Sequence, residues 1–314
     1  MAARKLTELF ELLKEKPIRS IIVVCANDEH SIIAVSQAIE QNLVRGILIG
    51  DESVIESVCM FAGIDSSQFT VIHQPSEDLA ARQAVEMINR GEGDILMKGL
   101  ISTDKFMRAI LNKEKGLTNH GKVVSHVTVV ENENYPKLLI VSDVAVIPLP
   151  DLNQKIQMIG YMIQVAHKLN IELPKIAIIA PSEQVIPSIP STTEAAILAK
   201  MGDRCQIRGC IIDGPLALDV ALDEEAAVLK GLKSHVAGDV DCLLFPNLES
   251  GNVFYKVNTK LARSESAAIL VGTKVPVVLA SRGDSTRVKL FSIALGALMA
   301  QERESGLEIG KDLK

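Results

Sequence analysis

From residue 20 to about residue 300 the chain alternates compact apolar runs with amphipathic stretches of helical period. Runs at 20–25, 45–49, 69–73 and 94–97 are rich in Val, Ile and Leu and carry little polar interruption. Short runs of this kind are the mark of strands buried on both faces. The stretches between them, 31–40, 53–62 and 76–90, repeat their apolar residues every three to four positions, as a helix packed on one side does. Ser76 is a predicted N-cap for the third of these. Strand–helix–strand order closes into a mostly parallel, doubly wound sheet, because each crossover lays a helix on one face. The alternation continues through a helix at 103–111 and strands at 122–130 and 137–141. The fold class is therefore α/β.

The prolines of Ile147-Pro-Leu-Pro150 make a stiff break suited to a domain crossing. Beyond it, Asp151 predicts the cap of a long helix reaching about residue 169. Strands follow at 175–180, 207–212, 241–245, 267–271 and 275–280. Helices are expected at 192–201, 224–232, 253–263 and 285–301. With 314 residues the chain is long enough for two domains of ordinary size.

Composition narrows the partners. Aromatic residues make up only 3% and Trp is absent, so Ala, Val, Ile and Leu must build the core. The same shortage removes the stacking platforms that single-stranded nucleic acid needs. A net charge of −6 leaves no broad basic footprint for DNA or RNA. An anionic ligand must then be held by a local cluster. Five scattered cysteines, none in C-x-x-C spacing, read as reduced and mostly buried thiols. The first sixteen residues are charged and lack a secretory apolar region, and no run reaches membrane-spanning length. A soluble, cytoplasmic protein is expected, with no membrane partner.

Polar chemistry collects at strand-to-helix turns. The run Val275–Ala280 leads into Ser281-Arg-Gly-Asp-Ser285 and then a helix. Helix N-termini offer unpaired N–H groups and a partial positive charge, and a guanidinium grips phosphate with two prongs, so this turn is an anion site. A turn has no structural need for Arg282 directly after a buried strand. Two further turns share the pattern: Lys98-Gly-Leu-Ile-Ser-Thr103 and Asn247-Leu-Glu-Ser-Gly-Asn252. Ligands of open α/β sheets collect beyond the carboxyl ends of strands, so one shared pocket for a phosphate-bearing ligand is expected. Ser125-His126, which interrupts an apolar strand, is a fourth candidate. Plainer readings stand beside these. Lys98-Gly99 suits a solvated turn, Ser102 and Thr103 suit helix caps, and Asn247 and Asn252 suit turns. Asp213, Asp219 and Asp223 could hold a divalent cation, although a solvated helix start explains them as well. The sequence contains no phosphate loop, dinucleotide fingerprint, zinc spacing or nucleophile elbow.

Taken in order, Lys98-Gly-x-x-x-Thr103 with Arg108 and Lys113, Ser125-His126, Val141-Ser-Asp143, Met201-Gly-Asp-Arg204, Ile212-Asp-Gly-Pro-Leu-Ala-Leu-Asp219, Phe245 through Asn252 with Tyr255-Lys256, and Pro276 through Ser285 resemble the phosphate acetyl/butyryl transferase family, the phosphotransacylases. The stretches around Asp213–Asp219 and Ala280–Ser285 are more similar to the butyryl-type branch. The resemblance implies reversible exchange of a short acyl group, butyryl foremost, between CoA and inorganic phosphate. Acetyl and propionyl are alternatives within the family. It implies two doubly wound domains around a cleft, isocitrate/isopropylmalate dehydrogenase-like, and a homodimer. The domains expected are residues 1–143 with 272–314, and residues 144–271. No permanently bound cofactor and no metal are implied, with acyl-CoA and phosphate as the substrates. Arg282, Ser281, Asp284 and Lys98 are then the catalytic residues. Thr103, Ser125, Ser102, Asn247 and Asn252 bind the phosphate or acyl phosphate, and Ser281 and Arg282 also bind CoA. The acetyl-type branch carries an aspartate a few residues into the helix after Ser-Arg, where this chain reads Thr286-Arg-Val-Lys289. Either Asp284 serves as base for the thiol, or no dedicated base exists. Two other readings remain at this point: a metal- and NAD-dependent decarboxylating dehydrogenase, and a non-catalytic relative that binds acyl phosphate or CoA.

Overall fold

A computed structural model describes residues 1–281 and 283–301. In chain order the elements are α1 (Glu8–Leu13), β1 (Arg19–Val24), α2 (Glu29–Glu40), β2 (Val44–Gly50), α3 (Glu52–Ala62), β3 (Thr70–His73), α4 (Glu77–Asn89), β4 (Ile95–Lys98) and α5 (Thr103–Ile110). Then come β5 (Ser125–Glu131), β6 (Leu139–Ser142), α6 (Leu152–Lys168), β7 (Lys175–Ile179), α7 (Pro190–Asp203), β8 (Ile211–Leu216), α8 (Leu218–Leu222) and α9 (Glu224–Leu229). The chain ends through β9 (Cys242–Leu244), α10 (Leu248–Lys256) with a π-helical turn Val257–Leu261, β10 (Glu265–Val271), β11 (Val277–Val278) and α11 (Thr286–Met299). The eleven strands form one sheet in the order β3-β2-β1-β4-β11-β10-β5-β6-β9-β7-β8.

Both flanks of the sheet are parallel, as strand–helix alternation dictates. β1 lies between β2 and β4, and β9 lies between β6 and β7. The centre differs: β11–β10, β10–β5 and β5–β6 pair antiparallel. The connections 132–138 and 272–276 are too short for a crossover helix, so the strands they join must reverse direction. Near the end of the chain, β11 inserts beside β4, and α11 packs on β10, α2 and α1. Residues Lys289 to Leu298 of α11 are all buried, which fits its nearly unbroken apolar surface. Phe291 stacks on Phe10 of α1 with ring centroids 5.7 Å apart.

Several element boundaries depart from the sequence reading. α1 lies within the charged N-terminal stretch and buries Leu9 and Leu13. β8 begins at Ile211 rather than 207, because left-handed backbone at Cys205 and Gly209 makes the preceding segment a turn. α10 starts at Leu248 rather than 253, because the Asn247 side chain accepts the Ser250 N–H at 2.9 Å and caps it. Ser76 occupies the cap position of α4 but makes no side-chain cap bond. Asp151 forms a full capping box with Gln154. All five cysteines are free; Cys25, Cys59 and Cys242 are buried, and Cys205 is exposed.

Candidate active site

β10 pairs with β5 along its whole length, whereas β11 pairs with β10 only at Val277 and β4 ends at Lys98. A cavity of about 470 Å³ opens where β4 and β11 give out. Its walls come from the turns after β4, β6 and β11, from α10, and from His126 and Ala268 on the central strands.

The Lys98 side chain is 2% exposed, borders the cavity, and donates to the Gly99 carbonyl at 3.2 Å. Position 99 must be glycine: a Cβ there would stand 2.3 Å from the Cys25 carbonyl oxygen. The chain can thus turn tightly behind the ammonium. Ser102 caps α5 by accepting the Lys105 N–H at 3.3 Å, and Thr103 opens the helix on the cavity wall. The positive end of α5 and the Lys98 ammonium therefore favour an anion on the same side.

Across the cavity, the turn after β11 is held by its own backbone. Asp284 Oδ2 accepts the Ser281 N–H at 2.7 Å, and the Asp284 N–H donates to the Ser281 carbonyl at 3.1 Å. Ser285 caps α11. Ser281 and Asp284 line the cavity, while Arg282 lies outside the described residues.

Beneath the floor is a closed network. Asp143 Oδ2 accepts the Ser125 hydroxyl and the His126 N–H, each at 2.9 Å. Its Oδ1 accepts the N–H groups of Ala145 and Val146 at 2.7 and 2.8 Å. One carboxylate thus joins β5 to the segment after β6. His126 Nδ1 is 3.1 Å from Thr128 Oγ1. Burial holds the imidazole pKa below its ordinary value, although the carboxylates of Asp143 and Asp284 pull the other way. Burial thus favours the neutral ring.

α10 supplies the third wall. A Cβ at Gly251 would meet the Asp143 carbonyl oxygen at 2.2 Å, so only glycine allows the helix to approach so closely. Asn252 borders the cavity and donates to the Val144 carbonyl at 2.9 Å. Tyr255 and Lys256 border it too, with the Lys256 ammonium 5.2 Å from the Tyr255 ring centre. Burial pushes the Tyr255 phenol up, and the Asp284 charge adds to this. Small and apolar residues complete the lining: Val144, Ala145, Ala268, Leu279 and Ala280.

Seven residues singled out as candidates in the sequence, Lys98, Ser102, Thr103, His126, Asn252, Ser281 and Asp284, therefore meet around one hollow. Two do not line it. Ser125 is fully buried in the Asp143 network, and Asn247 serves as the cap of α10. The roles of Tyr255, Lys256 and the apolar lining were not apparent from the sequence. A lone His126 breaking an apolar run was the available signal for the ring. Nothing in an Ala or Val on a buried strand marks the face it presents. The three aspartates near α8 are dispersed: Asp219 pairs with Lys230 at 3.0 Å and Asp223 caps α9. Among the described residues, no group of three His, Cys, Asp or Glu side chains is placed to hold a metal ion.

A family model described as phosphate acetyl/butaryl transferase matches residues 73–297. The chain belongs to this family of acyltransferases. It is 45% identical over 297 residues to the phosphate butyryltransferase of Clostridium acetobutylicum, covering 95% of this chain and 98% of that protein. It is 42% identical to the phosphate acetyltransferase of Thermotoga maritima, covering 94% and 99% of the two chains. Among solved structures, a branched-chain phosphotransacylase from Enterococcus faecalis V583 superposes with a TM-score of 0.78 at 27% identity, covering 90% of this chain and 99% of that one.

Proposed function

We propose that this chain is a phosphate acyltransferase that moves a short acyl group, butyryl foremost, reversibly between CoA and inorganic phosphate. Acetyl and propionyl transfer are the alternatives within the family. In one direction the CoA sulfur attacks the carbonyl of an acyl phosphate. A C–S bond forms, the C–O bond to phosphate breaks, and the thiol proton ends on the released phosphate. The observation that carries this reading is the meeting of Lys98 with Ser281 and Asp284 around a single cavity that also has an apolar side.

The polar wall suits the phosphoryl group. Lys98 and Arg282 neutralise its charge, Ser281 and Thr103 donate hydroxyls, and Ser102 and Asn252 border it. CoA reaches the same turn through Ser281 and Arg282. Asp284 grips the Ser281 amide and keeps that turn in shape. Asn247 and Ser125 support phosphate binding from one step behind, through α10 and Asp143. Ala145, Ala268, Ala280 and Leu279 leave room for an acyl chain longer than acetyl. Holding both substrates in one hollow provides the positioning that such exchange depends on. CoA and phosphate are substrates rather than resident cofactors, and no metal takes part. We further propose a cytoplasmic homodimer, with residues 1–143 and 272–314 in one domain, residues 144–271 in the other, and the cavity between them. Free thiols throughout the chain support a reducing compartment.

The reading is tested by kcat/KM for acetyl-, propionyl-, butyryl- and isobutyryl-CoA with phosphate. A four-carbon optimum supports it, and absence of turnover with all four defeats it. Arg282→Ala should lower the rate by about 10²–10³-fold, the usual cost of losing a charge-assisted contact that tightens in the transition state. Its circular dichroism should match the wild type. Near-normal CoA release by that variant would remove Arg282 from the site.

A further inference from the structure

We propose that His126 is the base that takes the proton from the CoA thiol, through Nε2, with Thr128 setting which ring nitrogen does so. This inference rests on the acyl-exchange reading above.

A CoA thiol has a pKa of about 8.5, so only a small fraction is thiolate at pH 7. Proton transfer is most effective when the base has a pKa near the working pH. Asp284 is the carboxylate that borders the cavity among the described residues, and its Oδ2 already accepts the Ser281 amide. His126 borders the cavity as well, on the adjoining strand β5, and is only 3% exposed. Its backbone is fixed by the bond from its N–H to Asp143. Its Nδ1 lies 3.1 Å from Thr128 Oγ1. When Nδ1–H donates to that hydroxyl, the lone pair belongs to Nε2, the ring nitrogen left to serve the cavity. The imidazolium formed would lie within electrostatic reach of both Asp143 and Asp284, which oppose the burial that keeps the resting ring neutral.

The protons balance. The S–H bond breaks and an N–H bond forms at Nε2 as sulfur adds to the carbonyl carbon. The C–O bond then breaks, its electron pair leaves with phosphate, and the Nε2 proton passes to that phosphate. The neutral ring is restored. In the opposite direction Nε2 takes a proton from phosphate and returns it to the departing thiolate.

Asp143 after β6 and Asp284 after β11 act on this ring, and Lys98 at the end of β4, Tyr255 and Lys256 of α10 and Ala268 of β10 line the same cavity. The test is the pH dependence of kcat/KM for butyryl phosphate with CoA, in wild type, His126→Gln and His126→Asn. The wild type should be nearly flat between about pH 7 and 8.5, with an acid limb lying below the ordinary imidazole value, where the ring takes up a proton. Both variants should lose about 10²–10⁴-fold at pH 7. Their log rate should rise with unit slope towards about pH 8.5, because thiolate then comes only from solution. KM for both substrates should stay within about threefold. Thr128→Val should lower kcat with little change in KM. A variant within about threefold of wild type at pH 7, or one that is slower with an unchanged pH profile, overturns the role of His126 while leaving acyl exchange standing. A wild type that makes no thioester overturns both.

Discussion

Lys98 shows what a single residue contributes. An apolar strand has no structural need for a buried ammonium at its end, and β4 carries one where the cavity opens. Such residues are legible in a sequence because they break an apolar pattern at the point where a strand turns into a helix. Ser281 and Arg282 are visible for the same reason. Ser125 and Asn247 belong to the same residue types, yet local bonds claim them: Ser125 binds Asp143, and Asn247 binds the start of α10. Sequence spacing does not separate a hydroxyl that faces a ligand from one that completes a buried network. The Ala268 lining is invisible for the opposite reason, because apolar residues look alike on either face of a buried strand. Lys98→Met keeps most of the aliphatic stem and removes the charge. It should lower kcat/KM for acyl phosphate about 10²-fold while the protein melts as a single cooperative unit. Wild-type kinetics in that variant would take the ammonium out of the mechanism.

At the scale of elements, the alternation of strands and helices was plain, because two-sided burial and a 3.6-residue period leave unmistakable patterns. The reversal at the centre of the sheet was not. It depends on how short the connections 132–138 and 272–276 are, and on which strands they join. α10 starts five residues before the sequence pattern places it, because Asn247, equally suited to a turn or a ligand, caps it. That difference is measurable. Asn247→Ala should cost about 1 kcal/mol of stability, seen as a lower urea midpoint with an unchanged slope. Its KM for phosphate should change less than that of Lys98→Met. A larger rise in KM without loss of stability would return Asn247 to direct ligand binding.

At the scale of the whole molecule, α11 is tied to the first half of the chain. Lys289 of α11 is buried, and its ammonium lies 2.9 Å from both Asp28 Oδ1 and Ser31 Oγ at the start of α2. Burial alone would raise the Asp28 pKa, but the bonds from Lys289 and Ser31 outweigh it and hold the carboxyl below its ordinary 3.8. A depressed carboxylate stabilises the fold fully above its unfolded value and loses that contribution as pH falls through the folded one. Asp28→Asn leaves a buried ammonium without its counter-charge and should cost about 3 kcal/mol near neutrality. The gap from wild type, measured by urea unfolding, should close as pH drops below about 3.8. A gap that does not vary with pH would mean the pair contributes packing rather than charge.

The account as a whole requires that a phosphate-holding wall and an acyl-holding wall share one hollow. It is tested most directly by mixing the purified protein with butyryl phosphate and CoA and following thioester and phosphate together. The account predicts equal amounts of butyryl-CoA and phosphate, with the reaction running backwards when the products are supplied. Hydrolysis of the acyl phosphate without thioester, or no consumption of CoA, would contradict it.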